Sequence, residues 1–314
     1  MSEKTPDTDP EILEFFKPES VQIYKAEAPV SEWAIQAWCR AMGDTNPVYR
    51  DREAAKRHGR GDILAPPVMM HSFTFSGGDD ENGLLNVFRR KLAAEYGINS
   101  VVAGGYEQEF LAPIRLGDLL TREVRFESIS PPKITGVGVG HFVLMAEKIT
   151  NQDGAVIGNQ KMRILFFKPG AVERGERPAK KAEPAAVPAA PPVELPALEI
   201  PLTATLIVSG AIAANDFEKI HHDRDLAQRQ GLKDIAMNIL TSCGLALRYV
   251  TDWTGPAGIV KSHVSSFGVS NFPGDTMTFT ATADKPFEPG RETRILLRGT
   301  NSLGTHINST IIVS

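Results

Sequence analysis

The sequence has few cysteines, and their positions exclude several kinds of site. Only Cys39 and Cys243 occur in the 314 residues. Neither belongs to a CxxC pair or to a Cys/His cluster with the spacing of zinc ligands. Two isolated thiols fit a reducing compartment, where a buried cysteine acts as a small hydrophobic side chain. We therefore expect no metal site and a cytoplasmic location.

The sequence also lacks an excess of positive charge and a long apolar run. Its 34 Lys and Arg and 38 Asp and Glu give a net charge of -4, unlike the basic surface of a nucleic-acid-binding protein. No run of about eighteen apolar residues occurs, so we expect no membrane span. Residues 1–20 are polar and acidic, which is unlike a signal peptide. Hydrophobic residues make up 42% of the chain, a usual fraction for a globular protein whose length predicts about two domains.

One change in composition divides the chain. Residues 169–198 are rich in proline and alanine, and such a segment cannot form a packed core. We interpret it as an extended linker between an N-terminal module, residues 1–168, and a C-terminal module, residues 199–314.

The two modules resemble each other. GDTNPVYRDREAAKRHG (43–59) aligns without a gap with NDFEKIHHDRDLAQRQG (215–231), which places Asp44 opposite Asp216 and Tyr49 opposite His221. Further along, PIRLGDLL (113–120) resembles FPGDTM (272–277). This pattern indicates an internal duplication whose period is too long for a solenoid.

Each module shows the same coarse secondary-structure pattern. A short helix follows each aligned segment, and residues 237–253 read as a long helix that is apolar nearly all round, which predicts burial. Alternating segments such as TMTFTATA then predict antiparallel strands. A helix wrapped by a curved antiparallel sheet buries both elements, so the fold class is α+β. The first module has an extra segment, residues 77–105, that could reshape or cap a pocket.

The spacing of Asp216 and His221 is the main sign of chemistry. Most Asp/His pairs five residues apart are surface residues, but this pair precedes a short helix and lies near the start of a buried one. The first module keeps the aspartate and has Tyr49 in place of the histidine. The pattern therefore favours one module that does chemistry and another that retains the scaffold.

These residues resemble the motif of the MaoC-like (R)-specific enoyl-CoA hydratases, Asp-x-Asn-Pro-aliphatic-His. Residues 44–49 match it except for the histidine, and residues 216–221 keep Asp216 and His221 but lack Asn-Pro. GDTNPVYRD, ILAPPVMM, SVVAGGYEQEFLAPIRLGD, DFEKIHHD and MNILTSCGLALRYVTDWTGP resemble the steroid side-chain enoyl-CoA hydratases most. In that group the two modules are commonly separate polypeptides, whereas here they are fused.

The resemblance implies a double hotdog fold and a hydratase. The C-terminal module would hydrate a trans-2-enoyl-CoA to a 3-hydroxyacyl-CoA, with Asp216 and His221 as catalytic residues. The N-terminal module would be silent and supply a wide acyl pocket, to which ILAPPVMM and GLLNVF contribute, for a bulky steroid side chain undergoing β-oxidation. Coenzyme A would be part of the substrate, with no other cofactor. A homodimer, or association with a thiolase or aldolase of the same pathway, is the expected assembly.

The reaction explains the residue types. Water addition needs a base for water, an acid for the α-carbon and donors for the enolate oxygen. A carboxylate and a histidine can hold one water and move its protons, and which of them is the base stays open. A helix N-terminus supplies backbone N–H donors, and the resemblance points to the Asn238 N–H.

Several alternatives stay open. The substrate could be a linear acyl thioester, or the chain could be a non-catalytic acyl-CoA-binding scaffold subunit. His222 is a weaker candidate than His221, and Asp44 with Asn46 fits a turn better than catalysis. Arg89, Arg90 and Lys91 could face solvent or contact the CoA phosphates. The remaining histidines favour structural roles: His58, His71, His141, His263 and His306.

Overall fold

The computed structural model describes residues 5–75, 81–170 and 192–314, in which antiparallel strands dominate. The strands are β1 (Val21–Lys25), β2 (Leu64–Ala65), β3 (Ser100–Phe110), β4 (Ile114–Arg115), β5 (Thr121–Ile129), β6 (Lys133–Thr135), β7 (Gly138–Thr150), β8 (Val156–Pro169), β9 (Val193–Leu202), β10 (Val260–Phe267), β11 (Asp275–Ala283), β12 (Thr293–Asn301) and β13 (Gly304–Val313). The α-helices are α1 (Pro10–Leu13), α2 (Glu32–Met42), α3 (Arg52–Arg57), α4 (Leu84–Tyr96), α5 (Ala204–Ala213), α6 (Arg224–Arg229) and α7 (Ile239–Thr254).

One eleven-stranded sheet runs through both modules. Its order is β1-β5-β7-β8-β3-β10-β13-β12-β11-β9, with β6 paired to β7. The order of the first five strands is mirrored by the last five, and the modules join where β3 pairs antiparallel with β10. At that junction Gln108 faces His263 and Tyr106 faces Ser265. The mirrored order confirms the predicted double hotdog.

Local contacts repeat in the two modules as well. Asp51 caps α3 and Asp223 caps α6, in each case by accepting a backbone N–H in the first turn. The residue after each capping aspartate is an arginine that forms an ion pair with an aspartate ten positions further along the chain. The two pairs are Arg52 with Asp62, at 2.6 Å, and Arg224 with Asp234, at 2.7 Å. The alignment of 43–59 with 215–231 is therefore a structural equivalence.

The helices enclosed by the sheet differ between the modules. In the C-terminal module, the predicted helix is α7, and most of its residues are buried. In the N-terminal module, the positions equivalent to the start of α7 form two short 3₁₀ turns, Pro67–Met70 and Ser72–Thr74. The helix packed against β5, β7 and β8 is instead α4, which belongs to the extra segment 77–105 and buries Phe88 and Leu92.

Both boundaries of the predicted linker need correction. Its first residue, Pro169, is the last residue of β8. Residues 193–198 were predicted as linker but form the start of β9, which pairs with β11. The sequence analysis missed this strand because Pro196 and Pro201 lie within it, and proline is unusual inside a strand. Both are tolerated because β9 is an edge strand, where a missing N–H costs no ladder hydrogen bond. Residues 171–191 of the predicted linker lie outside the described residues.

Two helices that the sequence analysis did not identify hold the modules together. Helices α2 and α5 precede the aligned loops and pack against each other across the junction. Arg248 of α7 also reaches across and donates to the Met42 carbonyl at 2.9 Å. Within the described ranges, no helix has the length and apolar character needed to cross a bilayer.

Candidate functional site

Asp216 and His221 meet in the loop between α5 and α6. The backbone turns sharply at Asn215, which has a φ of 58°, and a 3₁₀ turn over Lys219–His221 brings the histidine back towards the aspartate. The Asp216 Oδ2 and His221 Nε2 atoms are 3.4 Å apart, and each side chain is 10% exposed. The structure thus brings together the two residues that the motif selected.

The His221 ring has a fixed orientation. Its Nδ1 lies 2.6 Å from the Ala236 carbonyl oxygen. A carbonyl oxygen only accepts hydrogen bonds, so Nδ1 carries a proton, and in the neutral tautomer that this contact selects Nε2 is an acceptor. Nε2 and the Asp216 carboxylate therefore present two acceptors to the same point, an arrangement suited to holding the two hydrogens of one water.

Asn238 contributes more than the sequence indicated. It caps α7 by accepting the Thr241 N–H at 2.8 Å, and its Nδ2 donates to Asp216 Oδ2 at 2.9 Å. The helix begins at Ile239. Among the described hydrogen bonds, none has the Asn238 backbone N–H as donor. The assignment of that N–H to the enolate oxygen stays a prediction; the side-chain contact with Asp216 was missed because it joins residues 22 positions apart.

The equivalent loop of the N-terminal module lacks the groups for this chemistry. Tyr49 is buried, and burial followed by the Asp44 charge raises its pKa above the usual value. Burial also raises the pKa of Asp44, whose Oδ1 accepts the Asn46 N–H at 2.9 Å in a turn. Pro66 occupies the position of Asn238 and has no N–H. These features fit the predicted silence of this module.

A wide cavity opens beside the loop that carries Asp216 and His221. It measures about 1210 Å³ and lies between α2 and α5, with residues 72–75 in its wall. Asn215 and Phe217, the neighbours of Asp216, line it, whereas Asp216 and His221 are not lining residues. Met69 of ILAPPVMM lines this cavity, and Leu85 of GLLNVF lines a smaller cavity of about 60 Å³ beside it.

Other candidate residues have structural surroundings. His222 is exposed, unlike His221. Lys91 makes ion pairs with Glu11 and Glu95, which supports a helix face exposed to solvent. Burial raises the pKa of the Cys243 thiol to about 12, so the group stays protonated and is no nucleophile at neutral pH.

A buried polar network in the N-terminal module was not predicted. Glu147 pairs with Arg122 and His71, each at 3.1 Å. Burial alone would raise the pKa of Glu147, but the charge of Arg122 and the contact with His71 outweigh it and lower the pKa to about 2. Burial also lowers the pKa of His71. Charged residues at inward-facing strand positions were the signal that could have revealed this network.

Comparisons with known proteins show which proteins the chain is similar to. Residues 20–160 match the family model described as FAS1-like, dehydratase domain region. A probable enoyl-CoA hydratase alpha subunit of Thermomonospora curvata is 37% identical over 166 residues, which are 51% of this chain and 52% of the relative. The chain thus spans about half the length of that relative.

A second relative is covered almost completely. The 3-oxo-4,17-pregnadiene-20-carboxyl-CoA hydratase beta subunit of Mycobacterium tuberculosis is 42% identical over 120 residues, which are 38% of this chain and 92% of the relative. A solved MaoC-like dehydratase superposes with a TM-score of 0.69 at 19% identity, covering 93% of this chain and 97% of that one, and supports the fold. The chain therefore belongs to the MaoC-like hydratase family.

Proposed function

We propose that this chain is an enoyl-CoA hydratase with one active site, formed by Asp216 and His221 of the C-terminal module. It adds water to a trans-2-enoyl-CoA and yields the 3-hydroxyacyl-CoA, with the (R) configuration that the family resemblance implies. The observation that carries the proposal is the pair of acceptors 3.4 Å apart, with the histidine ring oriented by the Ala236 carbonyl.

Water addition proceeds through two proton transfers, in which Asp216, His221 and the Asn238 N–H take part. A water donates to Asp216 Oδ2 and His221 Nε2; one of these takes its proton as the oxygen bonds to the β-carbon. The electron pair of the double bond moves to give an enolate, whose oxygen accepts the Asn238 N–H at the start of α7. A proton returned to the α-carbon completes the addition. Which residue acts as base stays open.

We further propose a bulky acyl group of the steroid side-chain type. One relative is named as a hydratase of a pregnadiene-carboxyl-CoA. The cavity of about 1210 Å³ is larger than the roughly 300–1,000 Å³ of most ligand pockets, and Trp33 and Phe217 expose apolar surface in its lining. A linear acyl thioester remains the second candidate substrate, since an open cavity also admits a flexible chain.

Assembly and location stay proposals. Two relatives are named as subunits of a hydratase, which supports association between modules of this kind. A homodimer and a thiolase or aldolase partner are predictions that sizing chromatography and co-purification would test, and a cytoplasmic location is a prediction that cell fractionation would test.

Loss of the conjugated absorbance of an enoyl-CoA tests the activity. His221→Ala and Asp216→Ala should each lower turnover by roughly 100- to 10,000-fold. Tyr49→Phe and Asp44→Ala are matched controls from the silent loop and should stay within about tenfold of the parent, with folding checked by circular dichroism. Binding of enoyl-CoA without absorbance loss would favour the scaffold subunit. A folded Asp44→Ala variant as inactive as His221→Ala would mean that the chemistry belongs to the other module or that the site is shared between the two modules.

A further inference from the structure

We propose that Asn215 is a positioning residue for Asp216, and that the N-terminal module supplies its anchor. The anchor is the backbone carbonyl of Phe75, which the buried network around Glu147 holds in place. This role depends on the proposed hydratase function and gives the silent module a part in it.

The hydrogen bond from Asn215 crosses the boundary between the modules. Its Nδ2 donates to the Phe75 carbonyl, 140 residues away in the chain. Both residues line the cavity of about 1210 Å³. Because Asn215 directly precedes Asp216, an anchor on its side chain limits how far the backbone of Asp216 can move.

The backbone conformation of Asn215 does not by itself require an asparagine side chain. Its φ is 58°, and the aligned residue of the other module, Gly43, has a φ of 62°. Glycine adopts such left-handed conformations without strain, whereas other residues do so at a cost. Among the residues that the structure describes, Asn215 is the one non-glycine residue with a positive φ. Strained positions of this kind cluster at functional sites, and the bond to Phe75 gives the side chain a role there.

Three contacts fix the segment that carries the acceptor. The Arg122 Nη2 donates to the Thr74 carbonyl at 3.1 Å. The Thr74 hydroxyl donates to the His71 carbonyl at 3.2 Å. The rings of His71 and Phe75 pack with their centroids 4.7 Å apart. The network therefore holds the chain up to the residue whose carbonyl accepts the hydrogen bond from Asn215.

The network also lies within electrostatic range of Asp216. Burial lowers the pKa of His71, and the charges of Glu147 and Asp216 act in the opposite direction. His71 and Asp216 belong to different modules, and the contact between Asn215 and Phe75 joins the two segments that carry them.

The fold does not need the charges of the network. Equivalent positions of the C-terminal module follow from the alignment of Asp118 with Asp275 and of Asp62 with Asp234, together with the strand pairing. Hydrophobic residues occupy all three: Phe279 corresponds to Arg122, Leu297 to Glu147 and Cys243 to His71. Replacing a buried ion pair by apolar residues of similar volume is often neutral or stabilising, so stability does not explain the charges. A donor to the Thr74 carbonyl does, since no hydrocarbon side chain can take that role.

The anchor matters because proton transfer depends on distance. Asp216 Oδ2 and His221 Nε2 are 3.4 Å apart and would have to reach the same water. Asn238 holds the carboxylate of Asp216, and Asn215 fixes the backbone before it. Misplacing a reacting group by about 1 Å can lower a rate by about 100-fold. Loss of the anchor should therefore reduce turnover rather than substrate binding.

Asn215→Gly tests the anchor without straining the backbone. Turnover is measured with whichever of crotonyl-CoA, octenoyl-CoA and a steroid enoyl-CoA the parent hydrates fastest. The kcat should fall by about 10- to 100-fold and KM should stay within about threefold. The melting temperature should move by at most about 4 °C, because the residue is exposed and glycine accepts its φ. Asn151→Gly, which removes a turn asparagine between β7 and β8, is the matched control and should keep the parent kcat.

A double-mutant cycle tests the role of the network. Arg122→Met with Glu147→Leu removes both charges at once, so that neither ion is left unpaired, and should lower kcat as Asn215→Gly does. Adding Asn215→Gly to this pair should cause little further loss, because both changes act on one contact. His71→Gln removes the ring that packs against Phe75 and keeps the ion pair, and it takes the place of the charge pair in the cycle if that variant does not fold.

The outcomes distinguish the positioning role from the hydratase function. A parent that hydrates none of the three thioesters, or a His221→Ala variant with parent activity, would contradict the function. Folded Asn215→Gly with the parent kcat would overturn the positioning role. A higher KM at unchanged kcat would overturn it as well, because Asn215 would then contact the substrate. Losses that multiply in the combined variant would show that the network does not act through Asn215.

Discussion

Asn238→Asp separates the two roles of one side chain. The Asn238 Oδ1 caps α7 and its Nδ2 holds the Asp216 carboxylate at 2.9 Å. Aspartate is as good an N-cap as asparagine, and a negative charge at a helix N-terminus adds about 0.3–1 kcal/mol of stability. The cap therefore survives, while the donor to Asp216 is replaced by an acceptor.

The Asp216 carboxylate, the proposed catalytic group, loses its donor in this variant. Two carboxylate oxygens would face each other at a distance where unit charges repel by about 4 kcal/mol at an effective dielectric constant of 20. A hydrogen bond to a charged group contributes about 1.5–3 kcal/mol, so its loss should lower kcat/KM by roughly 10- to 150-fold at pH 7.5. Activity should partly return as the pH falls, because a protonated carboxyl can donate to Asp216 as the amide did.

The assay is enoyl-CoA absorbance loss from pH 5.5 to 8, with the melting temperature measured alongside. Asn238→Ser is the matched control, since serine keeps the cap and adds no charge; its activity should be low without recovery in acid. Parent-like activity of folded Asn238→Asp at pH 7.5 would refute the claim that the amide positions Asp216.

Three further predictions concern the fold. Gly244→Ala should lower the free energy of unfolding by about 1–3 kcal/mol in urea titrations, because a Cβ there would lie 2.6 Å from the Trp38 ring, whereas Gly136→Ala, with no atom within 4 Å, should have little effect. Burial lowers the pKa of His263 from 6.5 to about 4, so its contribution to stability is complete above pH 6.5 and is lost as the pH falls towards 4. His263→Gln should therefore reduce the acid dependence of unfolding, by up to about 1.4 kcal/mol per pH unit, and an unchanged slope would contradict this. Cleavage at a protease site inserted within 171–191 should leave the halves together on sizing at micromolar concentration, because β3–β10 pairing joins them; separated halves would disprove the single-unit fold.

The sequence alone determined the duplication, the fold class and which two residues, Asp216 and His221, are proposed as the catalytic pair. Aligned segments predict equivalent loops because capping aspartates and turn glycines act locally, and the structure repeats them in both modules. The motif also identified Asp216 and His221, whose short separation lets one loop bring them together. These features depend on residues close in the chain, which is why pattern and spacing were sufficient.

Tertiary structure decided the rest. The contact between Asn238 and Asp216, the strand that begins in the proline-rich segment, and the enclosed position of α4 each depend on packing between distant segments. The polar network shows this most clearly, because Glu147 gains its partners from a different strand and from a turn 76 residues away. A sequence shows which residues could ionise, but only the arrangement of distant strands determines which of them are buried together beside a cavity.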